Sequence, residues 1–197
     1  MPPRQGYVAG LQSQAGELAR HTALLARVQS ADDLSALRRH AEHVYNLLAG
    51  SLDQQFGDLD GDGHARNPGD GFGLLPNGAQ VGYIQACANA ANDAANAPDA
   101  TDAINVRAGH LQTSAENVRG WASDARTIAL RLSSAANTAA VAQDVAQLVQ
   151  LSNQIARGVD TNGDGEIAPV AGEGGALVAY EHARYMAGLG FSPAATP

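Results

Sequence analysis

Apolar positions recur along this chain at the three-to-four-residue spacing of amphipathic helices, and few windows alternate every second residue as a strand would. From about Gly6 to Val28 the stripe is Leu11, Ala15, Leu18, Thr22 and Leu25. Ser30 then precedes Ala31-Asp32-Asp33, where it is expected to cap a second helix with acids in its first turn. That helix carries Leu34, Leu37, Ala41, Val44 and Leu48 and is expected to reach about Gly50. A third, from about Ala79 to Asn96, places Val81, Ile84, Ala88, Ala91 and Ala95 on one face and ends before Pro98. After that proline the order recurs, with helices predicted from about Thr101 to Ser133, Thr138 to Arg157 and Gly175 to Ala187.

Composition points the same way. Hydrophobic residues make up 45% of the 197 positions but aromatics only 5%, so the core must be built from Ala, Leu, Val and Ile. Small side chains let helices approach closely, and Ala has the best helix propensity. The expected fold is therefore all-α, a six-helix bundle. Its two halves, residues 1–98 and 99–197, each read helix, helix, acidic loop, helix, and are expected to pack as one globular unit with a boundary near Pro98-Asp99-Ala100. A net charge of -8 without a Lys/Arg cluster argues against a nucleic-acid partner and against anionic membranes. No apolar run approaches the roughly 20 residues of a membrane span, and the N-terminus lacks the basic-then-apolar pattern of a signal peptide. The single cysteine, Cys87, excludes an internal disulfide, and its place beside the core stripe predicts a buried, inert thiol.

The candidate chemistry lies in two short acidic runs, Asp58-Leu59-Asp60-Gly61-Asp62-Gly63 and Asp160-Thr161-Asn162-Gly163-Asp164-Gly165. In each, the first, third and fifth residues are Asp or Asn, and a Gly in sixth place permits a sharp bend. Like charges roughly 4 to 5 Å apart repel by about 1 to 4 kcal/mol near a protein surface, so the runs look built to be neutralised by a cation. They resemble EF-hand and dockerin-type calcium loops, over these two segments only. Carried over residue by residue, the resemblance implies two Ca²⁺ ions. It makes Asp58, Asp60 and Asp62 ligands in the first loop, with the carbonyl of His64, and Asp160, Asn162 and Asp164 in the second, with the carbonyl of Glu166. The twelfth place, which in that family carries a bidentate carboxylate, is Gly69 in one loop and Ala171 in the other. The nearest downstream acids, Asp70 and Glu173, are expected to serve instead, giving variant loops over 58–70 and 160–173. Phe72 is expected to plug the bundle.

Histidines offer a second chemistry. His40 and His43 flank Glu42, and on the preceding helix Glu17 and His21 are four apart and share a face. In an antiparallel hairpin, Glu17, His21, His40 and His43 can meet, and imidazoles with carboxylates on facing helices hold transition metals or haem in bundles. His110 and His182 show no evident partner. Trp121 and the Tyr180, Tyr185 and Met186 cluster read as core. Nucleophile elbows, P-loops and dinucleotide fingerprints are missing. The expectation is thus a non-enzymatic calcium-binding structural or interaction module, extracellular or on the cell surface, with an unidentified protein partner or self-association. A transition-metal or haem bundle and a calcium-regulated sensor are the alternatives.

Overall fold

The helical spacing is realised as six α-helices: α1 Tyr7–Ser30, α2 Leu34–Ala49, α3 Gly82–Ala95, α4 Asp102–Ser133, α5 Ala142–Arg157 and α6 Ala176–Met186. The computed structural model describes residues 6–188; among them there is no strand, only two isolated bridges, and the all-α class holds. Among the described residues no helix is long and apolar enough to cross a membrane.

The most regular stripe belongs to α4. Its buried residues Ala108, Leu111, Ala115, Val118, Ala122, Ala125, Ala129 and Leu132 follow a strict three-four alternation, the seam of a left-handed helical packing. With alanine at five of these eight positions, neighbouring helices can sit close to the α4 backbone. A ring of four helices results: α1 packs on α2 and α5, and α4 packs on the same two. Helices α3 and α6 lie chiefly on α4 and also reach α1. Exchanging α1 with α4, α2 with α5 and α3 with α6 keeps the ring pairs and the set of helices that α3 and α6 touch, but not the preference of both for α4, and α5 meets α6 without a comparable α2–α3 contact. Between neighbours in the ring, the buried Thr22 of α1 and Ser152 of α5 share a hydroxyl–hydroxyl bond at 2.6 Å, so these two polar groups satisfy each other.

Four local expectations are corrected. Ser30 ends α1 and bonds back to the Ala26 carbonyl; the cap of α2 is Asp33, whose carboxylate accepts from Ala36 N at 3.0 Å. Asp32, at φ 57, makes the reversal between the two helices. Val81 lies just before α3 and is 43% exposed, not part of its buried face. Residues Ala139–Val141 form a short 3₁₀ turn, so α5 starts later than the pattern suggests. Tyr185, read as core, is exposed with Arg107 over its ring, whereas Trp121 is half-buried against the core.

Each acidic loop leaves the end of a helix through a glycine with positive φ, Gly50 after α2 and Gly158 after α5. Both returns pass against these glycines. A Cβ on Gly50 would meet Gly73 Cα and the Phe72 carbonyl at 2.9 Å, and one on Gly158 would meet the Glu173 carbonyl at 2.3 Å. The loops are thereby pinned at their feet as well as at their tips. Phe72 is buried as expected, stacked near Tyr7 and edge-on to Tyr83. Because backbone atoms cannot retreat from a new methyl and φ is unfavourable for it, Gly158→Ala is expected to cost about 3 kcal/mol and lower Tm by about 6 to 12 °C, read by thermal unfolding in excess calcium.

Candidate metal centres

Both acidic runs fold into the same frame of backbone donors and carboxylate acceptors. In the first loop Asp58 accepts from Gly61 N (2.8 Å) and Asp62 N (3.1 Å) through Oδ1 and from Gly63 N (2.8 Å) through Oδ2. Asp60 Oδ1 accepts from Asp62 N and Asp62 Oδ1 from His64 N, each at 2.9 Å. The second loop repeats this. Asp160 accepts from Gly163 N (2.7 Å) and Gly165 N (2.9 Å), Asn162 from Asp164 N and Asp164 from Glu166 N, both at 2.9 Å. These amides hold the Asp160 carboxyl below the usual carboxylate range. Arg66 does the same to Asp62 through an ion pair.

What completes each frame is a buried carboxylate that the loop wraps. In the second loop it is Glu173, 2% exposed, accepting from Thr161 Oγ1 at 2.7 Å and Ala168 N at 3.1 Å. In the first it is Glu42 of α2, fully buried, accepting from Leu59 N (2.9 Å), Asp60 N (3.3 Å) and Arg66 N (2.8 Å). Counting from Asp58 and Asp160, the donors shared by the two loops stand at the second place (Leu59, Thr161) and the ninth (Arg66, Ala168). Glu42 thus occupies, from 16 residues upstream (58 − 42), the place Glu173 occupies from 13 residues downstream (173 − 160). Burial pushes the Glu42 carboxyl above its ordinary range, against the pull of the three amides. Oxygens of Glu42, Asp58 and Asp60 lie within 4.8 Å of one another, a grouping that can hold a metal ion.

Asp70, the late acid expected to close the first loop, is engaged elsewhere. Its Oδ2 accepts from the Tyr83 hydroxyl at 2.6 Å and its Oδ1 from Phe72 N at 2.9 Å. Each loop also has an asparagine clamp that sequence reasoning missed. Asn46 of α2, fully buried, donates to the Gly57 and Arg66 carbonyls at 2.9 Å and accepts from Gly57 N at 3.2 Å. Asn117 of α4 donates to the Val170 and Gly174 carbonyls (2.8 and 3.2 Å) and accepts from Gly172 N at 2.8 Å. The signal for the first was present: Glu42 and Asn46 are four apart on the helix that feeds the loop, so they share a face.

A second grouping able to hold a metal is His21, His40 and His43. The α1–α2 hairpin sets His21, nine residues before the end of α1 (30 − 21), level with His43, nine after the start of α2 (43 − 34). His40 and His43, three apart, lie on one face. Ring centroids are 4.9 to 5.6 Å apart. Burial, with Arg20 nearby, depresses His21 to about 4; burial, with the two other imidazoles, depresses His43 to about 4, and His40 moves down for like reasons. Glu17, expected to join them, is instead paired with Arg20 at 2.8 Å on the surface. His110 and His182, expected to lack partners, stack edge to face at 4.6 Å across the α4–α6 contact, and burial lowers His182 to about 4. Cys87 is buried as expected, its thiol pushed up to about 12. In comparisons with known proteins no family model, curated protein or solved structure matches the chain.

These histidines set an acid dependence. Their native values lie below the unfolded value of about 6.5, so between pH 6.5 and 4 the unfolded chain binds more protons and stability falls as pH falls. Glu42, raised, acts oppositely but is one group against several. Urea unfolding in EDTA is expected to lose about 2 kcal/mol between pH 7 and pH 5 after allowance for solvent screening. A stability that stays level or rises over that interval would contradict the neutral state of the three rings.

Proposed function

We propose that this protein is a calcium-binding helical module without enzymatic activity, each acidic loop taking one Ca²⁺ that ties the end of one helix to the start of the next. The observation that carries the reading is the buried carboxylate at the same two loop positions in both halves, Glu42 in one and Glu173 in the other. A buried carboxylate beside several aspartates is costly unless a cation lies among them. Oxygens on opposite sides of a calcium ion are about 5 Å apart, and the Glu42, Asp58 and Asp60 oxygens fit within such a sphere. The donor set, carboxylate with backbone carbonyl and one amide, is that of a hard cation taking six to eight oxygens. In this reading the loops are EF-hand-like variants. Ligands are Asp58, Asp60, Asp62 and the His64 carbonyl with Glu42, and Asp160, Asn162, Asp164 and the Glu166 carbonyl with Glu173. Asp70 supports the first loop through Tyr83.

The matching pairs of the four-helix ring support reading the halves as one repeated unit. The ions hold the structure rather than switch it, because sensor loops open a Met-rich groove and here Met186, the one methionine among the described residues, packs partly buried against the core. A module of this kind serves adhesion or assembly with a protein partner or a second copy, and suits surroundings rich in calcium, outside the cell.

Removal of calcium with EGTA should lower Tm by about 10 to 20 °C, since two sites held at a hundredfold excess over Kd contribute about 5 kcal/mol, and added calcium alone should restore it. An unmoved melting curve rejects the staple. Glu42→Gln and Glu173→Gln are each expected to weaken one of two calcium-binding events at least about tenfold in titration calorimetry. Asp70→Asn should leave both events in place.

A further inference from the structure

The three histidines between α1 and α2 lie apart from the loop chemistry, and their geometry suits a different ion. We propose that His21, His40 and His43 bind one zinc ion through three imidazole nitrogens, leaving the fourth coordination position to an exchangeable ligand.

Distance is the first argument. His21 Nδ1 and His43 Nδ1 are 3.3 Å apart, and two ligands of a tetrahedral zinc with bonds of 2.0 to 2.1 Å stand about 3.3 to 3.4 Å apart. A ligand nitrogen of His40 lies within 4.8 Å of the others, so a change of rotamer or ring flip brings the third donor in. Bonding is also unmet there: His40 Nδ1 is buried without a hydrogen-bond partner, and such groups are rare unless something pairs with them. Third, the donor set is neutral and entirely nitrogen. No carboxylate belongs to the cluster, Glu17 being held by Arg20, so calcium and magnesium have no claim on it, whereas imidazole suits zinc and its neighbours. Rings packed with centroids 4.9 to 5.6 Å apart leave no gap for a porphyrin, which favours a bare ion over haem.

The surroundings supply the remaining chemistry. Arg20 Nη2 lies 2.7 Å from His21 Nε2, which leaves the His21 proton on Nδ1, shared with His43. Uptake of the ion at that edge moves the proton to Nε2, so Arg20 Nη2 must give up its bond to His21 and swing away, while Arg20 keeps Glu17 through Nε. Three protein ligands with an open fourth position is the pattern of zinc sites that bind water and exchange it, not of closed structural ones.

The site is tested on the whole chain, stripped with EDTA and then held in excess calcium so that the acidic loops are occupied. Co²⁺ serves as the probe. One cobalt per chain is expected, with the visible absorption of four-coordinate cobalt, displaced by one equivalent of zinc and shifted by azide. His40→Gln and His43→Gln should each weaken binding at least about tenfold, and His64→Gln, in the first acidic loop, should not. Only a six-coordinate spectrum, or binding indifferent to His40→Gln, overturns the site; a four-coordinate spectrum that azide leaves unchanged overturns the open position. If either variant loses its helical circular dichroism, the wild type decides. Zinc must then shift the ring proton resonances of three histidines and no others, and any other set rejects the assignment. The proposal does not rest on the calcium reading, because recovery of Tm by calcium is read without cobalt.

Discussion

The structure depends on burying a carboxylate under each acidic loop and surrounding it with that loop's own donors. Glu42, midway along α2, and Glu173, on the return of the second loop, are both shut off from solvent, so each must be satisfied by what the chain lays over it. The loop, for its part, has little apolar content with which to fold, Leu59 being the one side chain of the first loop that packs on the core. Fixing each of its residues costs about 1 to 2 kcal/mol, and hydrogen bonds from the second and ninth places to one buried anion give it a centre. Loop and carboxylate are each unstable without the other. The negative charge that remains on the outside is what a cation would neutralise.

The two halves reach this arrangement from opposite chain directions, and the spacing explains why. The second loop starts two residues after Gly158, too soon to fold back along α5, so its carboxylate arrives on the return at Glu173 and the loop leans on Asn117 of α4. In the first half Asp58 comes eight residues after Gly50. The intervening segment is anchored by Asp53, which pairs with Arg126 at 2.9 Å and accepts from the Tyr45 hydroxyl at 3.1 Å. That detour turns the loop back along α2, within reach of Glu42 and Asn46. The downstream acid is then free for Tyr83, as Asp70 is.

The helices and the place of the loops were legible in the sequence because they are local properties: stripe spacing, glycine and proline breaks, Asp and Asn at alternate positions. The N-cap went to Asp33 and not Ser30 because both residue types cap, and only the positive φ at Asp32 decides where the chain turns. Glu42 was hidden because an acid flanked by histidines on a helix reads as solvated surface, and the loop that buries it begins 16 residues later. Asp70 misled because nearness along the chain stood in for nearness in space. The three histidines came together as the hairpin suggests, but Glu17 did not, since Arg20 one turn away offers it an ion pair in water at no cost in burial.

Helix α2 serves two of the three candidate centres, the first acidic loop and the histidine cluster. Glu42 and His43 are consecutive, about 100° apart around the axis, so one face looks toward the first loop and the next toward α1. What fixes α2 in this orientation is its contact with the alanine seam of α4, where short side chains leave little freedom to slide or rotate without opening voids. The four polar groups of α2 that serve the two sites, His40, Glu42, His43 and Asn46, are therefore set by apolar packing on the opposite side of the same helix. A core poor in aromatics and rich in alanine is in this sense a positioning device. It fixes the backbone positions that carry carboxylate, amide and imidazole before any ion arrives, which lowers the ordering cost that binding would otherwise have to meet.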